Sequence, residues 1–140
     1  MKITIGADHR GFLLKSNIIE HLDEHEWLDV GCYSEQRTDY PLFSKRVCED
    51  IINGVADCGI LICGSGIGMS IAANRYHGIY AALVWNTELA RMAKEDDGAN
   101  VLVLPAGFVS NELALEMIDI WLKADFKEGI YQRRLEMIDE

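Results

Sequence analysis

Residues 58–70, CGILICGSGIGMS, constrain the fold more than any other stretch of the chain. Gly59 to Cys63 is a short apolar run without polar alternation, the pattern of a parallel strand covered on both faces. Gly64, Gly66 and Gly68 follow, and Ser70-Ile71-Ala72-Ala73-Asn74-Arg75 reads as the next helix. Glycines at these positions permit a tight turn and close backbone approach to a ligand, and the N–H groups of a helix N-terminus favour negative charge there. Cys63 stands where that dipole favours a thiolate, a competent nucleophile or proton acceptor. Ser65 adds a hydroxyl to the same turn, which suits either a phosphate or an oxyanion that develops during reaction.

The rest of the chain repeats this strand-then-helix grammar. Lys2 to Ala7 alternates as a strand, and Gly11 to His25 reads as a helix whose Phe12, Ile18, Ile19 and Leu22 face a core. Trp27 to Val30 is a second, short strand, and Gly31 to Tyr40 is polar and turn-like. Pro41 suits the first turn of a helix running to Asn53, with Gly54 as its stop. Tyr80 to Trp85 and Asn100 to Leu104 are apolar strands separated by a helix from Thr87 to Lys94. Ser110 is a good N-cap for a helix through Trp121, and a last segment, Ile130 to Glu140, carries Tyr131, Arg133 and Arg134. Five strands alternating with helices predict an α/β fold with a parallel sheet and helices on both faces, because right-handed crossovers leave little else. Residues 1–140 then form one domain. Ligands of such sheets bind at the carboxyl ends of the strands, which is where Asp8-His9, Cys63, Asn86 and Ala106-Gly107 fall.

Charge and cysteine usage remove several function classes. A net charge of −10 argues against a nucleic-acid or anionic-membrane binder, so an anionic small substrate needs a local basic patch. Cys32, Cys48, Cys58 and Cys63 lack paired spacing, so neither a disulfide framework nor a zinc site is expected. The segment MKITIGADH is too short and too polar for a signal peptide, and no apolar run approaches spanning length, which together predict a cytoplasmic location. Dinucleotide binding fails on spacing, since the third glycine of that pattern falls at Met69.

The segments GADHRGFLLK near the start, RTDYP at 37–41, GILICGSGIGMSIAANR at 59–75 and ANVLVLP at 99–105 carry a resemblance over nearly the whole chain. It resembles the ribose-5-phosphate isomerase B and galactose-6-phosphate isomerase family. The resemblance implies a Rossmann-like three-layer α/β/α sandwich with a five-stranded parallel sheet. It also implies no metal or nucleotide cofactor, and homodimers or homotetramers whose active sites are built from two subunits, with the segment from about 129 to 140 packing at an interface. The implied reaction interconverts an aldose phosphate and a ketose phosphate. Such a reaction needs a base for an acidic C–H proton, an anion hole for the enediolate and a shuttle for hydroxyl protons. Cys63 is implied as the base, and Ser65 with the N–H groups of Gly64, Gly66 and Gly68 as the anion hole. Asp8 and His9 match the family's pair that holds substrate hydroxyls or phosphate, and Tyr40 matches a tyrosine lining the pocket.

The departures from the family pattern bear on the substrate. Where the ribose-phosphate branch has a histidine-asparagine pair whose histidine opens the furanose ring, this chain has Asp96-Asp97. Asp96 is the candidate replacement acid, and Asp97 a candidate acceptor for sugar hydroxyls. Gly107 stands where an arginine is common, and Glu128-Gly129-Ile130-Tyr131 replaces a basic segment. Arg134 aligns with a phosphate arginine, Arg133 lies beside it, and Arg10 is an added cation directly after His9, so the three can rebuild an anion site. A tetrose phosphate, which cannot close a furanose ring, tolerates these changes, as does an unphosphorylated or carboxylated sugar. A non-catalytic partner subunit is the remaining alternative, and its sign, loss of the base, is absent because Cys63 is present.

Overall fold

The computed structural model describes residues 1–140. Its elements run β1 (Lys2–Ala7), α1 (Phe12–His21), β2 (Glu26–Asp29), α2 (Tyr40–Ile52), β3 (Cys58–Cys63), α3 (Ile67–Ala73), β4 (Ala81–Leu83), α4 (Thr87–Glu95), β5 (Val101–Pro105), α5 (Asn111–Lys123) and α6 (Ile130–Ile138). All five strands are parallel, in the order β2-β1-β3-β5-β4. This is the three-layer α/β/α architecture expected from the sequence.

Alternation along the central strand divides the interior in two. Ile60 and Ile62 of β3 join Ile3, Ile5, Leu102, Leu104 and the fully buried Trp121 beneath α1, α4 and α5. Leu61 and Cys63 point the other way, into a second cluster with Phe43, Val47, Met69, Val101 and Val103 beneath α2 and α3. The period of two thus commits the Cys63 side chain to the α2/α3 face. Gly59 lies on that face because an added Cβ would sit 2.6 Å from Val47. Trp121 is held in place by its indole N–H, which donates to the Ala99 carbonyl at 3.2 Å.

Several boundaries differ from those read in the sequence. α1 ends at His21, short of His25, and β4 spans only Ala81–Leu83 within the expected Tyr80–Trp85. α3 begins at Ile67, three residues before Ser70, because Gly66 takes φ +75 and turns the chain into the helix at once. Gly68 therefore lies in the first turn of α3 and not in the loop. Ser110 and Asn86 cap α5 and α4 through their side-chain oxygens, which accept from Leu113 N–H at 3.1 Å and Leu89 N–H at 2.8 Å.

The strand order has a functional corollary. The connection leaving β1 runs to β2 on one side, whereas the connection leaving β3 runs past β5 to β4 on the other. The direction in which successive strands are added to the sheet therefore reverses between β1 and β3, and the crevice at their carboxyl ends is the binding position in open α/β sheets. No helix is long and apolar enough to cross a membrane.

Candidate active site

Two loops flank this crevice, one leaving β1 and the other leaving β3. Asp8 follows β1 and is 5% exposed. Its Oδ1 accepts hydrogen bonds from the N–H groups of Arg10 at 2.9 Å and Gly11 at 3.2 Å, folding the loop back upon itself. Gly11 is required there because a Cβ would lie 2.7 Å from the Ile62 carbonyl oxygen of β3. That close approach brings the first loop against the second: an added Cβ on Gly64 would meet the Arg10 guanidinium at 2.6–2.8 Å. Arg10 therefore lies over the cysteine loop. Cys63, 5% exposed, ends β3 beneath it, and its carbonyl accepts from Ala106 N–H at 2.9 Å. The Gly64 carbonyl accepts from Gly107 N–H, also at 2.9 Å, so the loop after β5 braces the glycine turn through its backbone. Ser65 is half-buried, and its Oγ accepts from Ile67 N–H at 3.2 Å, satisfying one of the orphan donors of α3.

A third segment, residues 31–39, closes the side next to β1. Thr38 N–H donates to His9 Nδ1 at 3.2 Å, and His9 N–H donates to Thr38 Oγ1 at 3.1 Å. Tyr40, the first residue of α2, presses its ring on Gly68, where a Cβ would meet ring carbons at 2.6–2.9 Å. Asp8, His9 and Arg10 on one loop, Cys63, Gly64, Ser65, Gly66 and Gly68 on the other, and Tyr40 against Gly68 thus all fall at the carboxyl edge of the sheet within a single chain. On the β4 side of Ser65 lies an apolar hollow of about 380 Å³ lined by Ile67, Leu83, Trp85, Pro105 and Phe108. Trp85 and Phe108 are 55% and 78% exposed, a large apolar area beside a polar crevice. No group of three or more His, Cys, Asp and Glu side chains is placed to hold a metal ion.

Comparison with known proteins gives this geometry a family. The sequence pattern of the Ribose/Galactose Isomerase family matches residues 3–138. The chain belongs to the ribose/galactose isomerase family. It is 42% identical to ribose-5-phosphate isomerase B of Escherichia coli over 139 residues, covering 98% of this chain and 93% of that protein. The crystal structure of a ribose 5-phosphate isomerase from Thermotoga maritima superposes with a TM-score of 0.97 at 45% identity, covering 99% of this chain and 97% of the other. The Mycoplasma genitalium ribose-5-phosphate isomerase B, solved with bound ribulose 5-phosphate, superposes with a TM-score of 0.93 at 40% identity, covering 99% and 93%.

Within this isomerase-family fold, the other four sequence candidates stand apart from Cys63. Asp96 caps the C-terminus of α4, and Asp97 follows it, so both lie at the amino-terminal edge of the sheet, opposite the crevice. α6, which carries Arg133 and Arg134, is tied to the same edge by Tyr80, whose hydroxyl donates to Asp139. Asp96 Oδ1 accepts from Lys127 Nζ at 2.8 Å, and this hydrogen bond pushes the lysine pKa up. Lys127 and Arg134 both stack on the Tyr131 ring, at 5.2 and 5.5 Å from its centre. Arg133 and Arg134 are exposed. A cavity of about 460 Å³ opens on this edge between Asn74–Ala82, Asp97, Ala99 and α6. The molecule therefore carries two separated half-sets, an acid, imidazole and thiol at one edge and the carboxylates Asp96 and Asp97 with three cations at the other. Thr38, Lys127, Trp85 and Phe108 were not singled out from the sequence. Thr38 lies inside the RTDYP segment and was legible there as a polar residue between two charged ones, whereas Lys127 shows its partner only once α4 and the segment before α6 are folded together.

Proposed function

We propose that this chain is a sugar-phosphate aldose–ketose isomerase, with ribose 5-phosphate and ribulose 5-phosphate the first pair to test. Cys63 is the base. Its thiolate removes the proton from C2 of the open-chain aldose, the electron pair moves onto the carbonyl, and a cis-enediolate forms. Ser65 and the N–H groups of the glycine turn hold the developing oxyanion. A hydroxyl proton passes between O2 and O1 by way of the Asp8 carboxylate, whose Oδ2 accepts no hydrogen bond within the chain. The Cys63 thiol then returns its proton to C1, so the atoms balance without a cofactor. The observation that carries this reading is the placement of Asp8, His9, Arg10, Tyr40, Cys63 and Ser65 together at the carboxyl edge beside β1 and β3, where the order of strand addition reverses.

The cations that hold the substrate's phosphate, and with them the completed site, come from a second copy. Arg133, Arg134 and Lys127 are cations without a place in the crevice of their own chain, and the exposed Ile67, Trp85 and Phe108 beside Ser65 offer an apolar face for a partner. A homodimer that buries this face brings the Asp96–Arg134 edge of one copy to the Cys63 edge of the other, with the 129–140 segment at the interface.

One observation favours a narrower substrate. Asp96 is already the acceptor for Lys127, which leaves it poorly placed to protonate a ring oxygen. A substrate that stays open, such as a tetrose phosphate, needs no such acid. Proton-NMR detection of deuterium uptake beside the carbonyl in heavy water, across ribose 5-phosphate, erythrose 4-phosphate, allose 6-phosphate, galactose 6-phosphate and free sugars, separates these readings. Exchange with one compound that vanishes in Cys63→Ala supports the isomerase and names its substrate. Normal exchange in Cys63→Ala removes the proposed base.

A further inference from the structure

The Thr38–His9 contact assigns a protonation state. A backbone N–H can only donate, so the Thr38 amide at 3.2 Å requires a lone pair on His9 Nδ1. In a neutral imidazole the single proton then sits on Nε2. Adding a second proton would put an N–H on Nδ1 directly against the Thr38 N–H and break the contact. Nε2 has no hydrogen-bond partner within the chain, and the half-buried ring follows Asp8 at the mouth of the crevice, next to Arg10. The pairing is reciprocal, because the His9 N–H donates to Thr38 Oγ1 at 3.1 Å, so ring and backbone of residue 9 are both held by one residue of the 31–39 segment.

We infer that Thr38 is a positioning residue that locks the imidazole of His9, which the family resemblance already places against substrate hydroxyls or phosphate, as the neutral Nε2–H tautomer, so that it meets a substrate oxygen as a fixed hydrogen-bond donor and not as a base or a cation. The substrate half of this statement rests on the isomerase reading, and the tautomer half stands without it. A donor fixed in advance spends no reorganisation when charge develops opposite it. It also leaves positive charge at the crevice to side chains other than His9, with Arg10 lying over the cysteine loop.

The test reads the tautomer first, in the substrate-free protein, by long-range proton–nitrogen NMR of the His9 imidazole at neutral pH. Thr38→Ala keeps the amide donor and Thr38→Pro removes it. The expected result is a protonated Nε2 with a bare Nδ1 in the wild type and in Thr38→Ala, and a mixture of tautomers in Thr38→Pro. A wild-type ring protonated on Nδ1, or on both nitrogens, overturns the assignment. This readout needs no catalysis, so a protein that isomerises none of the sugars still reveals which ring nitrogen carries the proton. The donor role is read from His9→Gln against His9→Asn, which does not depend on the proline variant folding. Glutamine places an amide N–H near the Nε2 position, whereas asparagine reaches only to Nδ1. His9→Gln is expected to retain kcat/KM about 10- to 100-fold above His9→Asn, the worth of one hydrogen bond to a charged group. Equal losses in the two variants overturn the donor role.

Discussion

Replacing Lys15 by methionine should destabilise the protein by about 2–3 kcal/mol, and replacing its partner should cost more. Lys15 projects from α1 and is 1% exposed, while its Nζ donates to both oxygens of Asp29 at 2.7 Å. The rings of Phe12 and Tyr33 stand 5.5 Å from the ammonium on either side, so no water shares the charge. Asp29 is less enclosed, with 32% of its side chain exposed and a second hydrogen bond from Gly31 N–H at 2.9 Å. Breaking a fully buried pair costs about 3–5 kcal/mol, because one charge is left unpaired. Lys15→Met leaves the half with solvent and a remaining donor, which places it at or below the lower end of that range. Asp29→Asn leaves an ammonium with no solvent and belongs at about 3–5 kcal/mol. With a urea slope of about 2 kcal/mol/M, Lys15→Met should lower the unfolding midpoint by about 1–1.5 M, measured at fixed protein concentration. The double variant should be no less stable than Asp29→Asn alone. The consequence reaches the crevice, since Asp29 holds the Gly31 N–H and its carbonyl accepts from the Tyr33 hydroxyl at 2.9 Å, at the start of the segment that ends in Thr38 and Tyr40. Lys15→Met should therefore also raise KM under conditions where the protein is fully folded. A loss larger for Lys15→Met than for Asp29→Asn, or both variants within about 0.5 kcal/mol of the wild type, would refute the reasoning.

Further expectations follow from other parts of the fold. Gly66→Ala should lose about 1–2 kcal/mol from the left-handed backbone alone, and more from the Leu83 side chain that a Cβ would strike, with lost turnover measured beside a chemical-denaturation curve. Arg134→Ala should mainly raise KM for a phosphorylated substrate. Mixing inactive Cys63→Ala with inactive or weakened Arg134→Ala subunits should restore activity if each site draws one half from each copy, and no restoration after subunit exchange would sink the shared-site proposal. Tyr80 gives a pH dependence. The hydrogen bond from its hydroxyl to the Asp139 carboxylate, with burial, pushes the phenol pKa up from 10 to about 12. The folded state keeps this proton longer than the unfolded chain, so the stabilisation of α6 is complete below pH 10 and is lost as pH rises through about 12. Phenolate absorbance and helical circular dichroism should change together over that window in the wild type, whereas Tyr80→Phe should lack the change and be less stable at neutral pH.

What the sequence made legible, and what it hid, divides along the range of the interactions. β3 could be read because Gly59–Cys63 is apolar on both faces, and the crevice because Asp8 and Cys63 each end a strand, which local periodicity reports directly. The start of α3 was misplaced by three residues because a positive φ at Gly66 begins a helix with no change in hydrophobic pattern. The reversal between β1 and β3 depends on β3 pairing with β1 on the side away from β2, a pairing of residues far apart in the chain that no short window contains. Asp96 shows the same limit at the level of a single side chain. As a carboxylate before β5 it read as an acid free to work, yet Lys127, thirty-one residues later, claims it. His9 is the converse case. Its neighbours in sequence, Asp8 and Arg10, suggest an imidazole set between a base and a cation, whereas its protonation is set by the amide of Thr38, twenty-nine residues away. The local code therefore delivers residues to an edge of the sheet, and contacts from distant segments decide what each one does there. The same logic makes the two loops unequal targets for redesign. Substitutions at 63–68 act on a backbone fixed by β3 and α3, while those at 33–39, past the backbone bonds that join Gly31 and Cys32 to Ala7, act on a segment held to the rest of the fold by the Tyr33–Asp29 hydrogen bond and the His9 pairing. Substrate range should accordingly shift more readily through residues 33–39 than through the cysteine turn.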